Sequence, residues 1–116
     1  MKLINLLLTL SLCVSMPSIV FAEGEEKCEY PTQPPIPNGR KATEAELVAA
    51  QKAMKAYLAE GDAFIACITE QEESWGDEAT PEQKEMVVRF NNKVVDDMQA
   101  VADLFNAAVR AYKGKK

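Results

Sequence analysis

Residues 43–73 read TEAELVAAQKAMKAYLAEGDAFIACITEQEE, and this run decides the fold. Thr43 and Glu46 have the Thr-x-x-Glu spacing of a capping box, in which a hydroxyl and a carboxylate satisfy orphan backbone donors at a helix start. From there Leu47, Met54, Leu58, Gly61, Ile65, Ile68 and Trp75 recur at intervals of three, four or seven. Ala50, Tyr57 and Phe64 widen the same face, while Lys52, Lys55, Glu60, Asp62 and Glu70 fall mostly outside it. That is helical periodicity, and no strand pattern competes with it. Gly61 is the weak point, since a mid-helix glycine costs ~1 kcal/mol against alanine. Its place on the apolar stripe predicts a neighbour packed too closely for a side chain, and hence one continuous helix over about 43–73.

A connection follows at 74–79. Thr80-Pro81-Glu82-Gln83 then opens a second helix, with threonine at the cap, proline at the first helical position and glutamine three after the cap. Its stripe is Val87, Phe90, Val94, Met98, Val101, Phe105, Ala108 and Tyr112, which predicts a helix over about 81–112. A basic tail, 113–116, places positive charge at its negative end. Two helices of about 30 residues, each ~45 Å long, joined by a short connection, are antiparallel neighbours.

Upstream, residues 30–42 hold four prolines, Pro31, Pro34, Pro35 and Pro37, which exclude a helix and favour an extended path. Asn38-Gly39 is a turn signal that closes it. The first 22 residues read as an address. Lys2, a short apolar region and the ending Val20-Phe21-Ala22 describe a secretory signal peptide cut before Glu23. The apolar run is interrupted by Asn5, Thr9 and Ser11 and falls short of the ~20 residues needed to span a bilayer. Cys13 follows Leu12 and lacks the small preceding residue that lipid attachment requires, so it leaves with the signal.

Two cysteines then remain, Cys28 and Cys67. In an exported chain an even pair reads most simply as a disulfide. The alternatives are thiols for a metal or for redox work, without Cys-x-x-Cys spacing to support them. If the two cysteines meet, the proline segment is constrained. Thr43 to Cys67 spans ~36 Å of helix, and Cys28 to Thr43 reaches ~46 Å when extended. The segment must double back along the first helix, with Tyr57 and Phe64 as candidate partners for its prolines. That placement covers apolar surface which two helices leave bare, and it disfavours a freely presented Pro-x-x-Pro docking motif.

Cys28, Pro34-Pro35-Ile36-Pro37-Asn38-Gly39 and Ala42-Thr43-Glu44-Ala45-Glu46 form a pattern, continued by Ala49-Ala50-Gln51-Lys52-Ala53, Tyr57 and Cys67. With Phe105-Asn106 and Val109-Arg110-Ala111-Tyr112-Lys113, it resembles an uncharacterised family of small exported proteobacterial proteins. The resemblance implies a bacterial periplasmic or secreted setting and supplies no activity.

Composition narrows the function classes. The 116 residues are 47% hydrophobic and 27% charged, which fits a globular or bundle-like chain. The net charge of −5 argues against a general nucleic-acid grip. There is no histidine, which removes the commonest general base, the Ser-His and Cys-His nucleophile pairs and every imidazole metal site. Glu70, Glu72, Glu73, Asp77, Glu78, Glu82 and Glu85 are oxygen ligands of the type Ca²⁺ takes, but they lack EF-hand spacing and read as solvated charge. Asp96, Asp97 and Asp103 read as an exposed helix face, and Met54, Met86 and Met98 as packing residues. Asn91, Asn92 and Asn106 flank the second stripe, where polar groups set register with a partner helix.

The expected protein is all-α: an antiparallel two-helix hairpin, of coiled-coil character, with an N-terminal proline-rich extended segment (23–42) pinned by a Cys28–Cys67 disulfide. No catalytic, cofactor or metal residue is assigned. The expected role is non-catalytic binding or assembly in the periplasm or outside the cell, as a homodimer or with another protein partner. Nucleic acid and a stable membrane anchor after signal cleavage are not expected. The second reading is a periplasmic chaperone-like or small-ligand-binding module.

Overall fold

The computed structural model describes residues 28–115. The expected signal peptide at 1–22, residues 23–27 of the expected proline-rich segment and Lys116 of the basic tail lie outside the described residues. Helix α1 runs Glu44–Trp75, a single 3₁₀ turn spans Gly76–Glu78, and helix α2 runs Pro81–Gly114. The helices pack against each other as a hairpin, and no strand occurs among the described residues.

Both helix starts form as the sequence predicts. The Glu46 amide donates to Thr43 Oγ1 at 3.2 Å, and the Thr43 amide donates to Glu46 Oε2 at 3.2 Å. At α2 the Gln83 amide reaches Thr80 Oγ1 at 3.1 Å, and the Thr80 amide reaches Gln83 Oε1 at 2.9 Å. Each cap satisfies donors that the first turn cannot pair internally. α1 outlasts its expected end by two residues and stops at Gly76, whose φ of 53° lies in the left-handed region that glycine occupies without strain. α2 likewise continues through Lys113 and Gly114, so half of the expected basic tail belongs to the helix.

The buried line of α1 differs in its centre from the stripe read along the sequence. Leu47, Ala50, Tyr57, Gly61, Phe64 and Ile68 are buried, whereas Met54, Leu58, Ile65 and Trp75 are only half-buried. One line of buried and half-buried positions alternates by three and four: Leu47, Ala50, Met54, Tyr57, Gly61, Phe64, Ile68, Gln71, Trp75. α2 repeats it through Val87, Asn91, Val94, Met98, Val101, Phe105, Ala108 and Tyr112. This 3.5-residue period is that of a coiled coil, so the contact line stays between the helices along their whole length. Phe90, expected in the stripe, lies beside it and is 42% exposed.

The centre of burial moves toward Tyr57 and Phe64 because a third layer lies there. The segment from Cys28 to Ala42 doubles back along the hairpin, its two ends held by the Cys28–Cys67 disulfide and by the start of α1. Tyr30 packs in one apolar cluster with Phe64, Ile68, Val87 and Val94. Ile36 joins a second one with Ala42, Leu47 and Ala108 at the other end. The Asn38 turn closes through its carbonyl, which accepts from the Lys41 and Ala42 amides at 3.1 and 2.9 Å.

Two glycines mark close approaches of different kinds. A Cβ on Gly39 would run into the Ala108 carbonyl oxygen and stand 2.7 and 2.9 Å from its carbonyl carbon and Cα. One on Gly61 would meet the Met98 thioether, with Cγ at 3.0 Å and Cε at 3.1 Å. Gly61 therefore sits within a continuous α1, as its place on the stripe predicts.

Backbone cannot yield where a flexible methionine can. Gly39→Ala is expected to destabilise the fold by about 3 kcal/mol in urea denaturation. Gly61→Ala is expected to fall within ~1 kcal/mol of the parent, because Met98 can turn aside and alanine favours the helix. Equal costs at both sites would contradict this account of the packing. Breaking the disulfide, which closes a sequence separation of 39 residues, is expected to remove about 4 kcal/mol. Limited proteolysis of Cys67→Ser should then cut within 28–41 first, with the hairpin still helical by circular dichroism.

Candidate functional site

The sequence singles out one pair of site residues, Cys28 and Cys67, and the structure joins them as a disulfide with 5.6 Å between their Cα atoms. This bond anchors the proline segment beside Phe64. Immediately after it, Tyr30 makes contacts that the sequence did not single out. Its ring meets Phe64 edge-on at 5.0 Å between centroids and lies 6.4 Å from Phe90. Its hydroxyl donates to Asp97 Oδ2 at 2.5 Å. Lys93 closes the group, donating to Asp97 Oδ2 at 2.7 Å and to the Tyr30 hydroxyl at 3.3 Å, with its ammonium 4.9 Å from the Tyr30 ring centroid.

Asp97 is thus no free member of an exposed acidic face. The Lys93 ammonium and then the Tyr30 hydroxyl hold its carboxyl below the usual carboxylate range. Burial, and then the donated bond to Asp97, push the Tyr30 hydroxyl above the usual tyrosine value. The bond to Asp97 likewise raises Lys93. The only sequence trace of this cluster is the i, i+4 spacing of Lys93 and Asp97, and its third member lies 67 positions from Asp97. The arrangement is a clamp, with every polar group turned toward another.

Tyr57, foreseen as a partner of the prolines, is buried at the centre of α1. Its hydroxyl makes no well-formed hydrogen bond. Burial raises its pKa above the ordinary tyrosine value, and the nearby Gln33 side chain opposes that shift. Beside the disulfide lies an open hollow of about 320 Å³, floored by Pro31, Phe64 and Cys67 and rimmed by Glu29 and Glu60. It sits at the small end of the range for ligand sites.

The acidic residues of the connection do not converge, and among the described residues no group of three or more Asp, Glu or Cys is placed to hold a metal ion. Charge is instead divided between the ends of the hairpin. The connection end, 69–89, carries Glu70, Glu72, Glu73, Asp77, Glu78, Glu82 and Glu85 against Lys84 and Arg89. The opposite end carries Arg40, Lys41, Lys52, Lys55, Arg110, Lys113 and Lys115 against Glu44, Glu46 and Asp103.

The proline segment covers one side of the hairpin, the side of Cys67, Phe90, Lys93 and Asp97. By the three-four repeat, the residues flanking the contact line on the other side are Leu58 and Ile65 of α1 and Val88, Val95, Ala102 and Val109 of α2. Val88 and Val95 are 59% and 44% exposed there. No helix among the described residues is long and apolar enough to cross a membrane.

Comparison with protein-family models, curated proteins and solved structures finds no match to this chain.

The titration of the clamp gives a directed expectation. Asp97 has a depressed folded-state pKa, so its stabilisation is present above the unfolded value of ~3.9 and is lost as pH falls through the folded one. Tyr30 and Lys93 have raised values, so theirs is present below ~10 and is lost as pH climbs through the folded values. Tyr30→Phe is expected to cost about 1–2 kcal/mol in urea denaturation at pH 7. That cost should shrink as pH falls through the depressed folded-state value of Asp97. A penalty independent of pH would mean that the ring alone holds the segment.

Proposed function

We propose that this is a small exported protein with a non-catalytic role, one that works by docking its open helical face onto another protein surface. The observation that supports this most is the uneven covering of the hairpin. One side carries the pinned segment, which leaves Phe90 and Leu104 partly exposed beside it, while the other has no covering segment and leaves Leu58, Ile65, Val88 and Val95 flanking the groove. Apolar rows at coiled-coil spacing are the surface that another helix recognises. The polar groups of the clamp bond one another, with Tyr30 and Lys93 both donating to Asp97.

Export is part of the proposal. The basic and apolar start ending in Val20-Phe21-Ala22 reads as a signal, and the Cys28–Cys67 disulfide suits an oxidising compartment such as the bacterial periplasm. The resemblance to small exported proteobacterial proteins fits the same setting.

A second reading rests on the hollow beside the disulfide. Phe64 and Pro31 offer it an apolar floor and Glu29 and Glu60 an anionic rim, a combination that suits a small cationic or amphipathic ligand.

Native mass spectrometry of the chain exported through a bacterial secretion pathway separates the two. The expected spectrum is a protein complex whose subunit begins at Glu23 and is two hydrogens lighter than the reduced chain. A monomer carrying a lipid, peptide or small molecule would overturn the docking role in favour of the second reading.

A further inference from the structure

The open face carries more than apolar rows. Along α2, outside Val88, Val95, Ala102 and Val109, the next row on that side is Glu85, Asn92, Gln99, Asn106 and Lys113, all exposed. Read from either end, this row is the same in kind about Gln99: amide faces amide, and the acid at one end answers the base at the other.

α1 has a matching centre. Met98 meets Gly61, while Leu47 clusters with Ala108 and Ile68 with Val87. These contacts place Gln99 at the level of about Leu58. About a point between Leu58 and Ala59, the exposed Lys55 and Asp62 on the same side of α1 are also reflected into one another with opposite charge.

We infer that the open face binds a second copy of this chain. The two hairpins run antiparallel, and a two-fold axis passes near Gln99 of α2 and Leu58 of α1. This rests on the docking reading above and names its partner. Such an axis sets α2 against α2 and α1 against α1 in opposite directions. Glu85 then meets the other copy's Lys113, Asn92 meets its Asn106, Val95 meets its Ala102, and Lys55 meets its Asp62.

The acidic connection end of each copy lies against the mostly basic end of the other, with one like-charge approach, Glu72 to the other copy's Glu44. The rival side-by-side arrangement, with the connection ends together, would set Glu85 near Glu72 of its neighbour and place the two acidic ends in contact. Like charges in such a contact are penalised, and opposite charges fix the direction. The row from Val88 to Val109 is ~32 Å long and two helices are ~20 Å across, giving roughly 600 Å² on each copy, close to the ~800 Å² of an ordinary stable interface.

The test is sedimentation equilibrium of the disulfide-bonded chain purified from the periplasm, at low and high salt. A dimer is expected, weakened by salt because its direction is set by exposed charge. Val95→Glu should weaken it at least a hundredfold. Leu104→Glu, a comparably exposed change outside the proposed interface, should leave it unchanged. Glu85→Lys and Lys113→Glu should each weaken it about tenfold, since each reverses two symmetric pairs, and the double variant should return to within about threefold of the parent. Circular dichroism melts confirm that each variant is folded.

A monomer at 100 μM, a dimer indifferent to Val95→Glu, or charge reversals that add without compensating would each overturn the inference. A dimer strengthened by Glu85→Lys would assign the side-by-side arrangement. The broader docking role would stand in each of these cases if native mass spectrometry still showed a complex with a different protein, and would fall with the inference only if a ligand-bearing monomer were found.

Discussion

A hairpin of two helices has a single line of mutual burial, and each helix leaves much of its circumference bare. In this protein the pinned segment from Cys28 to Ala42 turns two layers into three. The disulfide to Cys67 fixes one end, the Asn38 turn and the first cap fix the other, and Tyr30 and Ile36 fill the groove between. Tyr57, Val94 and Val101 are almost wholly withdrawn from solvent. Chains of this size have little apolar surface to spare, so a covalent staple that brings more of it into contact has a large effect on whether the fold persists. Without the segment, the side of Phe64 and Phe90 would be as open as the side of Val88 and Val95.

That asymmetry connects stability to function. One groove of the hairpin is closed within the chain, by ring contacts, a buried glycine and a charged clamp. The other is closed only if something arrives. In the docking role proposed above, a covered face and an open face on one hairpin would give the molecule a defined side from which to bind. The charges at its two ends give it a direction.

Local chemistry was legible in the sequence, and tertiary chemistry was legible only in part. Both capping boxes, the Pro81 start, the Asn38-Gly39 turn and the continuity of α1 through Gly61 follow from residues a few positions apart, and the structure has all of them. The cysteine pairing and the doubling-back of the prolines followed from reach and parity. The centre of the α1 stripe did not, because periodicity alone weighs Leu58 and Ile65 equally with Tyr57 and Phe64. What separates them is the third layer, whose contacts are set by packing between distant residues. Tyr30 with Asp97 and Gly39 with Ala108 were invisible for the same reason, since each joins positions far apart in the chain, the first by a polar contact and the second by close approach.

The use of proline for that third layer follows from the backbone. An extended segment laid on two helices has no strand to pair with, so each buried amide would lack a partner. Proline has no amide hydrogen. Pro31 is buried, and Pro34 and Pro37 are half-buried, so the segment turns toward the helices at positions that have no donor to satisfy. The same rings restrict the unfolded chain, which lowers the entropy lost when the segment lies down. They also deny an incoming strand the regular ladder of donors it would need to extend the segment as a sheet edge. Tyr30, Ile36 and Gly39 also turn inward and keep their amides, and at Gly39 the chain must pass against the Ala108 carbonyl, where a ring would not fit. Proline where a donor would be stranded, and glycine where a side chain would collide, together let an extended chain act as the third layer of an otherwise helical protein.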